Sequence, residues 1–541
     1  KNDELTEGKG PVNIFFETQG VVGENPYEGR GITITANGAE VVIKSRKLNE
    51  VTYVLSGSTA DGSLKIYSDT KFELKMNGVC IINNDDPALN IQAGKKATIT
   101  LVGGTLNRLV GGTKFVSEGG DEDVKAAFFS EGQLVFSGTG NLEVEGRYRH
   151  AVCSDDYIRI EGGHIFVLQA ERDGLHANDY VEINGGELVI KSVSDGIESE
   201  GHITVSGGLV NIVTTGQKGH GIKSATTTTI DAAGDLNIHV EGTASKAIKC
   251  GGDILISRGN IICTTSGNSF YDMEEAGISS AAGIKCDGNF TINGGRLLME
   301  SSGSGGKGIN VVGNITLEGG NVSVTTKGEP FVYQGDNSAA KAIKCDGRMT
   351  IGDCSVEVKT SGRKAEGLES ESDILITNGF VEVEAYDDGI KATKSITING
   401  GFVSSLSETK DGVFSKGTFS ITGGTVLAIG CAVSESGFDC NGLFKITGGT
   451  LVGVGSETSL PASDVSTQHS LVYTSANSII KSSFVNLTSS EGKNIMTYLL
   501  PCSLSPAKIL FSSPELMRGV NYTISSGGFV TGGTSTYGLY N

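Results

Sequence analysis

Carboxylates recur at a fixed spacing in one part of the sequence. Asp173 and Asp195 are 22 residues apart, and Asp156 and Asp179 are 23 residues apart. If each interval is one turn of a repeating fold, the members of a pair lie on neighbouring turns, where like charges repel unless a proton or a cation neutralises them. A set of several oxygen ligands suits Ca²⁺. The predicted calcium ligands are Asp155, Asp156, Asp173, Asn178, Asp179, Asp195, Glu198 and Glu200.

A second acidic group repeats this arrangement nearly two hundred residues further along the chain. Its metal-ligand candidates are Asp387, Asp388 and Asp411, with Glu366 and Glu369 beside them. The alternative for both groups is an acidic edge that faces solvent and pairs with nearby lysines.

Between the two acidic groups, the corresponding positions carry lysines. Lys249, Lys285 and Lys344 follow Lys223 at one position of the repeat. A basic strip stands out in a chain of net charge −19, and it could bind the carboxylates of a uronic-acid polymer. The alternative is a ladder in which these lysines pair with aspartates of the same turns.

Catalytic signatures are weaker than these binding signatures. No Ser-His-Asp pattern stands out, and the adjacent carboxylates Asp155/Asp156 and Asp387/Asp388 would face opposite ways on a strand. A lyase acting on uronates needs a cation to acidify the α-proton and a nearby base. The arginines closest to the first acidic group are Arg147, Arg149, Arg159 and Arg172.

The elements that must position these residues are short strands. A small residue followed by an apolar one recurs about every 23 residues, as in Gly196-Ile197, Gly221-Ile222 and Ala247-Ile248. Each repeat carries three runs that alternate apolar and polar residues, which is the periodicity of strands. The sequence therefore predicts an all-β fold, a right-handed parallel β-helix of about 14 coils with three strands per coil, stacked ~4.8 Å apart. Its period is too short for a propeller of about 40 residues per blade.

Four of the ten cysteines share one inward-facing position of the repeat, where small residues dominate. They are Cys250, Cys286, Cys345 and Cys440. Cysteine at such a position behaves as a small hydrophobic residue, so we predict buried free thiols.

The repeat divides the chain into three predicted parts. Residues 1–77 form a leader and a β-rich cap, residues 78–455 form the β-helix, and residues 456–541 form a β-rich C-terminal cap. Two insertions, about 267–281 and 328–340, carry aromatic residues beside carboxylates, which are candidates for sugar stacking or for anchors that hold the loops. These aromatic residues are Phe270, Tyr271, Phe331 and Tyr333.

Composition and termini suggest where the protein acts. The acidic balance disfavours nucleic acid, and no segment approaches the ~18 apolar residues of a membrane span. The chain begins at Lys1 with a polar leader and no signal sequence. We therefore expect a secreted or cell-surface monomer, with anchoring through a signal or lipid that precedes this sequence.

Several segments resemble the secreted bacterial carbohydrate-binding parallel β-helix proteins, which share their shape with pectate lyases. The most specific are "YRHAVCSDDYIRI" and "SSPEL", and the resemblance extends over about residues 50–541. It implies binding of plant-type polysaccharides, such as cellulose or pectin with its acidic sugars, bound calcium and no established catalytic activity. The calcium ligands that the resemblance implies are Asp155, Asp156, Asp173, Asn178, Asp179 and Asp195.

Three functions follow from these observations. The first is a non-catalytic, calcium-containing polysaccharide-binding protein. The second is a calcium-dependent pectate or uronate lyase, and the third is a surface adhesion rod without glycan specificity.

Overall fold

The computed structural model describes residues 10–46, 50–118, 122, 124–475 and 477–540. Every regular element in these ranges is a β-strand. The chain forms two compact units, residues 1–267 and 268–541. Its fold is a parallel β-helix of about 16 turns. The predicted fold class is thus confirmed.

Each turn contributes three successive strands, which we call the first, second and third strand of the turn. Equivalent strands of neighbouring turns pair in parallel, as Leu175–Ala177 does with Ile197–Ser199 and Tyr180–Ile183 with His202–Val205.

The bounds of the strands follow the repeat. The first strands of unit one are Glu40–Ser45, Ser63–Ser68, Leu89–Gln92, Ala126–Ser130, His150–Ser154, Leu175–Ala177, Ile197–Ser199, Ile222–Ser224 and Lys246–Cys250. Its second strands are Ala97–Leu101, Leu134–Gly138, Ile158–Ile160, Tyr180–Ile183 and His202–Val205, and its third strands are Leu106–Val110, Asn141–Gly146, His164–Ala170, Glu187–Ser192 and Leu209–Thr214. Four long strands serve as second and third strand together: Val51–Thr59, Phe72–Ile82, Thr228–Val240 and Ile254–Thr265. The remaining strands of this unit are Val12–Glu17, Gly20–Glu24 and Ile32–Asn37.

Unit two continues the same scheme. Its first strands are Ala282–Cys286, Lys307–Val311, Lys341–Cys345, Leu368–Ser370, Ile390–Ala392, Val413–Ser415 and Phe438–Cys440. Its second strands are Phe290–Ile292, Ile315–Leu317, Met349–Ile351, Asp373–Ile376, Ser395–Ile398, Thr418–Ile421 and Phe444–Ile446. Its third strands are Arg296–Ser301, Asn321–Thr326, Ser355–Thr360, Phe380–Ala385, Phe402–Ser407, Thr425–Gly430 and Thr450–Gly455.

Two hairpins and a C-terminal segment complete unit two. The hairpins are Phe270–Asp272 with Gly277–Ser279 and Phe331–Tyr333 with Asp336–Ser338. Ala507–Ser512 pairs antiparallel with both Thr450–Gly455 and Ser470–Ser475. A separate five-stranded antiparallel sheet contains Phe484–Ser489, Asn494–Leu499, Tyr522–Ser526, Ser535–Thr536 and Leu539–Tyr540.

The apolar residue of each first strand lies in one interior column. Ile197 pairs in register with Ile222, which pairs with Ile248, and all three are fully buried. The small residue before it is required by the interior, because a Cβ at Gly196 would lie 2.3 Å from the Ile212 side chain. The repeated Gly-Ile pattern is therefore a packing requirement.

Parallel pairing begins earlier in the chain than the repeat predicted. The strand Glu40–Ser45 pairs in parallel with Ser63–Ser68, which pairs with Leu89–Gln92, so two turns precede the first one recognised in the sequence. Glu40 and Ser63 stand at the small-residue position of these turns, and neither is the Gly or Ala on which the pattern depended. This accounts for about 16 turns instead of about 14.

The prediction of buried free thiols is confirmed for three of the four inward cysteines. Cys250, Cys286 and Cys345 are free and buried, and Cys440 is free and partly exposed. The sequence did not reveal that Cys431 and Cys502 form a disulfide, which joins the end of a third strand to the C-terminal segment.

Candidate functional site

The predicted calcium ligands of unit one occupy two places. One set lies at the corner before the first strands, where Asp173 and Asp195 are found, and on the adjacent strand, which contains Glu198. Asp155, Asp156, Asn178, Asp179 and Glu200 follow the ends of the same strands. Because each strand lies between the two sets, the structure does not bring them together into one ligand shell.

At the preceding corner, side chains accept hydrogen bonds from the backbone of the next turn. The N–H of Asp195 donates to Asp173 Oδ1 at 3.0 Å, and the N–H of His220 donates to Asp195 Oδ1 at 2.7 Å. The N–H of Lys246 donates in turn to His220 Nδ1 at 3.0 Å. We call Asp173, Asp195 and His220 the corner ladder. Its members satisfy buried backbone donors, which is a structural role.

The outer oxygens of the corner ladder join a network of charges. His176 Nδ1 lies 3.1 Å from both Asp173 Oδ2 and Glu198 Oε2. Lys223 Nζ lies 3.1 Å from Asp195 Oδ2 and also contacts Glu198. Cationic side chains therefore already neutralise these carboxylates.

Burial and charge shift the titration of this network. Burial raises the pKa of Asp195 to about 7, against the attraction of Lys223. Burial opposes protonation of His176, but the carboxylates of Asp173 and Glu198 raise its pKa to about 9. Burial would likewise raise the pKa of Asp173, but hydrogen bonds with His150 and His176 hold it well below its ordinary value.

The donor set at this corner fits Ca²⁺ poorly. Among the described residues, two groups of three potential metal ligands lie within 4.8 Å of one another: His150, Asp173 and His176, and Asp173, Asp195 and Glu198. The first group contains two imidazoles, which calcium does not favour. In the second, the ammonium of Lys223 takes the position of a cation.

The far end of the first strands offers oxygen ligands with fewer competitors. Partial desolvation and a hydrogen bond with Asp156 raise the pKa of the exposed Asp179. Asp155 Oδ1 accepts a hydrogen bond from Lys125 Nζ at 2.7 Å and lies 3.5 Å from Asn178 Nδ2. A carboxylate whose pKa is raised by a neighbouring carboxylate can hold a cation together with that neighbour instead.

The second acidic group forms an ion-pair network with a corner ladder of its own. The N–H of Asp411 donates to Asp388 Oδ1 at 3.3 Å. Lys391 Nζ lies 2.9 Å from Asp388 and 3.2 Å from Glu366. Asp387 accepts the N–H of Asp388 at 2.9 Å, and its pKa is raised by burial and by the charge of Asp388. The predicted alternative, carboxylates paired with lysines, describes Asp388, Glu366 and Glu369. Asp387 and Asp411 instead accept backbone N–H groups.

The predicted basic strip is present on the outward face of the first strands. In unit two, Lys285 is in register with Asn310, and Asn310 with Lys344. In unit one, Lys249 is in register with Lys223. The side chains of Lys285 and Lys344 are 23 % and 22 % exposed. Lys285 Nζ lies 2.5 Å from Asp287, and Lys344 Nζ lies 3.3 Å from Glu371.

The two aromatic insertions contact each other, and each directly precedes a first strand that carries a lysine of this strip. The rings of Tyr271 and Tyr333 stack with their centroids 4.4 Å apart, and both residues are partly exposed. Phe270 and Phe331 belong to the same hairpins and are also partly exposed. Tyr271 and Tyr333 each cover one ring face with the other, and their partial exposure leaves ring surface that a ligand could contact.

Lys307 fixes the hairpins to the β-helix, which the sequence did not reveal. Its Nζ donates to Ser338 Oγ at 2.8 Å, and Ser338 Oγ lies 3.0 Å from Ser280 Oγ. Burial, together with the charges of Lys341 and Lys344, lowers the pKa of Lys307 to about 8. In the sequence, the only indication of this role is that Lys307 occupies the position of the repeat where other turns carry aspartate.

A second aromatic column occupies the second strands of unit one. Tyr157, Tyr180 and His202 stack with centroid separations of 4.6 and 4.8 Å, and Arg159 lies over the Tyr157 ring. Tyr180, which lies between the other two rings, has both faces covered, so a sugar could reach only its edge. This column therefore acts as a stabilising ladder.

No helix in the described part of the chain is long and apolar enough to cross a membrane.

Comparisons with known proteins give a consistent result. The family model described as carbohydrate-binding domain-containing protein matches residues 28–329 and 342–492. A carbohydrate-binding domain-containing protein of Acetivibrio thermocellus is 30% identical over 118 residues, which are 21% of this chain and 41% of that protein. The chain thus spans less than half the length of this relative. A solved structure described as a polysaccharide lyase-like protein from C. thermocellum, a gadolinium derivative, is 22% identical, covering 52% of this chain and 97% of that chain with a TM-score of 0.36.

Proposed function

Because the chain belongs to the family of carbohydrate-binding domain-containing proteins, we propose that it binds an acidic polysaccharide, such as a pectin-type uronate polymer, without cleaving it. The proposal includes action as a monomer that is secreted or held at the cell surface. It is supported by one observation above all, the register of Lys285, Asn310 and Lys344, with the stacked Tyr271 and Tyr333 on hairpins that directly precede two of these strands.

A periodic basic strip suits a periodic ligand. Neighbouring turns of a β-helix are ~4.8 Å apart, so Lys285 and Lys344, two turns apart, present ammonium groups at a spacing of roughly 10 Å. Asn310 between them can donate to or accept from sugar hydroxyls. A polymer whose carboxylates recur along its length can contact both lysines at once, while a sugar ring packs on the exposed part of a tyrosine.

The contacts of the candidate bases support binding over cleavage. Arg159 lies within ion-pair distance of Glu182, Arg147 of Glu145, and Arg149 of Glu118. A guanidinium held by a carboxylate is a poor proton acceptor, because the pair stabilises its charged form. Burial opposes the charged form of Arg159, but Glu182 raises its pKa, so Arg159 is unsuited to act as the base of a lyase, whereas burial lowers the pKa of Arg149.

Calcium forms a second part of the proposal, at the far end of the first strands. Asp155, Asp156 and Asp179 would hold the ion with the amide oxygen of Asn178, and the bound ion would supply positive charge to this acidic edge. We expect added Ca²⁺ to raise the melting temperature of the wild-type chain and not that of the D156N/D179N variant. The matched control is Asp464→Asn, at an exposed aspartate elsewhere. A melting temperature that neither calcium nor a chelator changes would contradict this site.

Incubation of the full chain with polygalacturonate tests the binding proposal. We expect retention on the immobilised polymer and no increase in the ultraviolet absorbance of unsaturated chain ends. Absorbance that rises with calcium and stops with chelator would establish the lyase instead. If the chain is retained on no plant polymer, the third function, a surface adhesion rod without glycan specificity, is favoured instead.

A further inference from the structure

A cleft in unit two lies where the C-terminal segment packs over the third strands. Its volume is about 270 Å³, which suits a single sugar unit better than a polymer segment. Its polar lining includes Glu382, Glu384, Ser404, Lys481 and Tyr537.

The cleft opens to solvent beside the exposed Glu384 and Lys481.

Tyr537 enters this cleft from a turn that tyrosine rarely occupies. Tyr537 and Gly538 connect Ser535–Thr536 to Leu539–Tyr540, with φ angles of 48° and 83°. Two successive positive φ angles define the hairpin turn in which Asn and Gly are preferred, and a tyrosine there carries a conformational cost. Such a cost is retained where the side chain makes a contact that matters, so it indicates a role for this ring.

The contacts of Tyr537 fix its ring at the mouth of the cleft. Its centroid lies 5.5 Å from that of Phe380 and 5.6 Å from that of Phe402, and its hydroxyl donates to Glu382 Oε2. The residue nevertheless remains 41 % exposed. A ring held in place by two others and open on its remaining surface is preorganised for stacking against a sugar.

Carboxylates dominate the polar groups around this ring. Glu357 is in register with Glu382, and Glu384 lies on the same strand face as Glu382. Burial raises the pKa of Glu382, and the charges of Glu357 and Glu384 add to this effect. Lys359 Nζ lies 2.6 Å from Glu384 and neutralises one of these charges. The remaining negative charge, only partly offset by the exposed Lys481 of the lining, disfavours a uronate at this cleft, whereas sugar hydroxyls can donate to carboxylate oxygens.

We infer that this cleft is a second sugar-binding site, selective for an uncharged sugar unit that stacks on Tyr537 and donates hydroxyl hydrogen bonds to Glu382 and Glu384. The inference rests on the proposal that the chain binds glycans, but it assigns a different surface and the opposite charge preference. The basic strip contacts acidic sugars, and the cleft contacts neutral ones. Together they suit a polysaccharide in which both kinds of sugar occur.

Calorimetric titration of the full chain with cellohexaose, xylohexaose and mannohexaose tests this inference, with oligogalacturonate titrated in parallel. We expect at least one neutral oligosaccharide to bind, and Tyr537→Gly to weaken that binding about tenfold. Glycine adopts the positive φ without cost, so this variant keeps the turn. Oligogalacturonate binding should be unchanged. Lys481→Ala, at an exposed residue of the lining, is the second variant and should also weaken only the neutral ligand.

The outcomes separate this inference from the proposed function. If oligogalacturonate binds and none of the three neutral oligosaccharides does, the second site is overturned and the basic strip stands. If a neutral oligosaccharide binds equally well to wild type, Tyr537→Gly and Lys481→Ala, the cleft is not its site and Tyr537 serves only to hold the C-terminal hairpin. If neither ligand class binds, the proposed function fails as well.

Discussion

Removing the two central lysines of the basic strip is the most direct perturbation of the proposed glycan site. In the K285Q/K344Q variant, two positive charges are lost while Asn310 between them remains. Glutamine retains the aliphatic stem and a polar end, so packing along the first strands changes little. We expect the variant to fold as the wild type does and to bind oligogalacturonate more weakly.

The size of the effect follows from the partners that the lysines already have. Lys285 Nζ is 2.5 Å from Asp287, and Lys344 Nζ is 3.3 Å from Glu371, so a ligand carboxylate must share each ammonium. Partly exposed pairs of this kind contribute about 0.5–1 kcal/mol each. Two of them give about 1–2 kcal/mol, which corresponds to roughly 5- to 30-fold weaker binding. Conversely, Asp287→Asn should strengthen binding several-fold, because Lys285 no longer shares its charge.

Calorimetry with oligogalacturonate at two salt concentrations measures this effect. The difference between wild type and the double variant should be largest near 0.1 M salt and should shrink near 1 M, where the screening length falls to about 3 Å. The matched control is K416Q/K445Q, which removes two charges from other turns of unit two. Equal affinity of K285Q/K344Q and wild type at low salt would refute the assignment, as would an equal loss in the control.

Three further predictions concern stability. The folded-state pKa of Lys307 is about 8, below its ordinary value, so between about pH 8 and 10.5 the unfolded chain binds more protons than the folded one. The free energy of unfolding should therefore rise across this range by at most ~3 kcal/mol. Lys307→Met should remove this rise, as measured by urea titrations. Gly308→Ala should lower the unfolding free energy by about 1–3 kcal/mol, since its Cβ would lie 2.3 Å from the Val324 side chain; an unchanged urea midpoint would contradict this packing. The C431S/C502S variant should lose about 2–4 kcal/mol, seen as faster hydrogen exchange in Ala507–Ser512; exchange at the wild-type rate would show that the disulfide does not hold that strand.

The sequence predicted the fold because the same local pattern recurs in nearly every turn. Ile197, Ile222 and Ile248 form one interior column, as their spacing indicated. The two earliest turns were missed because Glu40 and Ser63 replace the small residue that defined the pattern. The Cys431–Cys502 disulfide was missed because its partners are 71 residues apart and only one of them lies in a turn of the β-helix.

The candidate site was predicted less completely, for a geometric reason. A period shows which residues stack on neighbouring turns, but it does not show where each column lies around a turn. Asp173 and Asp179 are six residues apart in the sequence, yet the strand Leu175–Ala177 separates them. Nor did the period reveal that the Asp173 carboxylate serves the backbone of the next turn, since that depends on the orientation of a corner.

That corner arrangement bears on how divergence among relatives should be interpreted. Any side chain with a well-placed acceptor can receive the N–H of the following turn, and this protein itself uses aspartate at Asp195 and histidine at His220 for the same purpose. Replacing one of these two residue types by the other at such a position would preserve the fold. An aliphatic replacement would leave a buried N–H donor without an acceptor. An invariant aspartate there is thus weak evidence for ion coordination, and a histidine in its place is weak evidence against it.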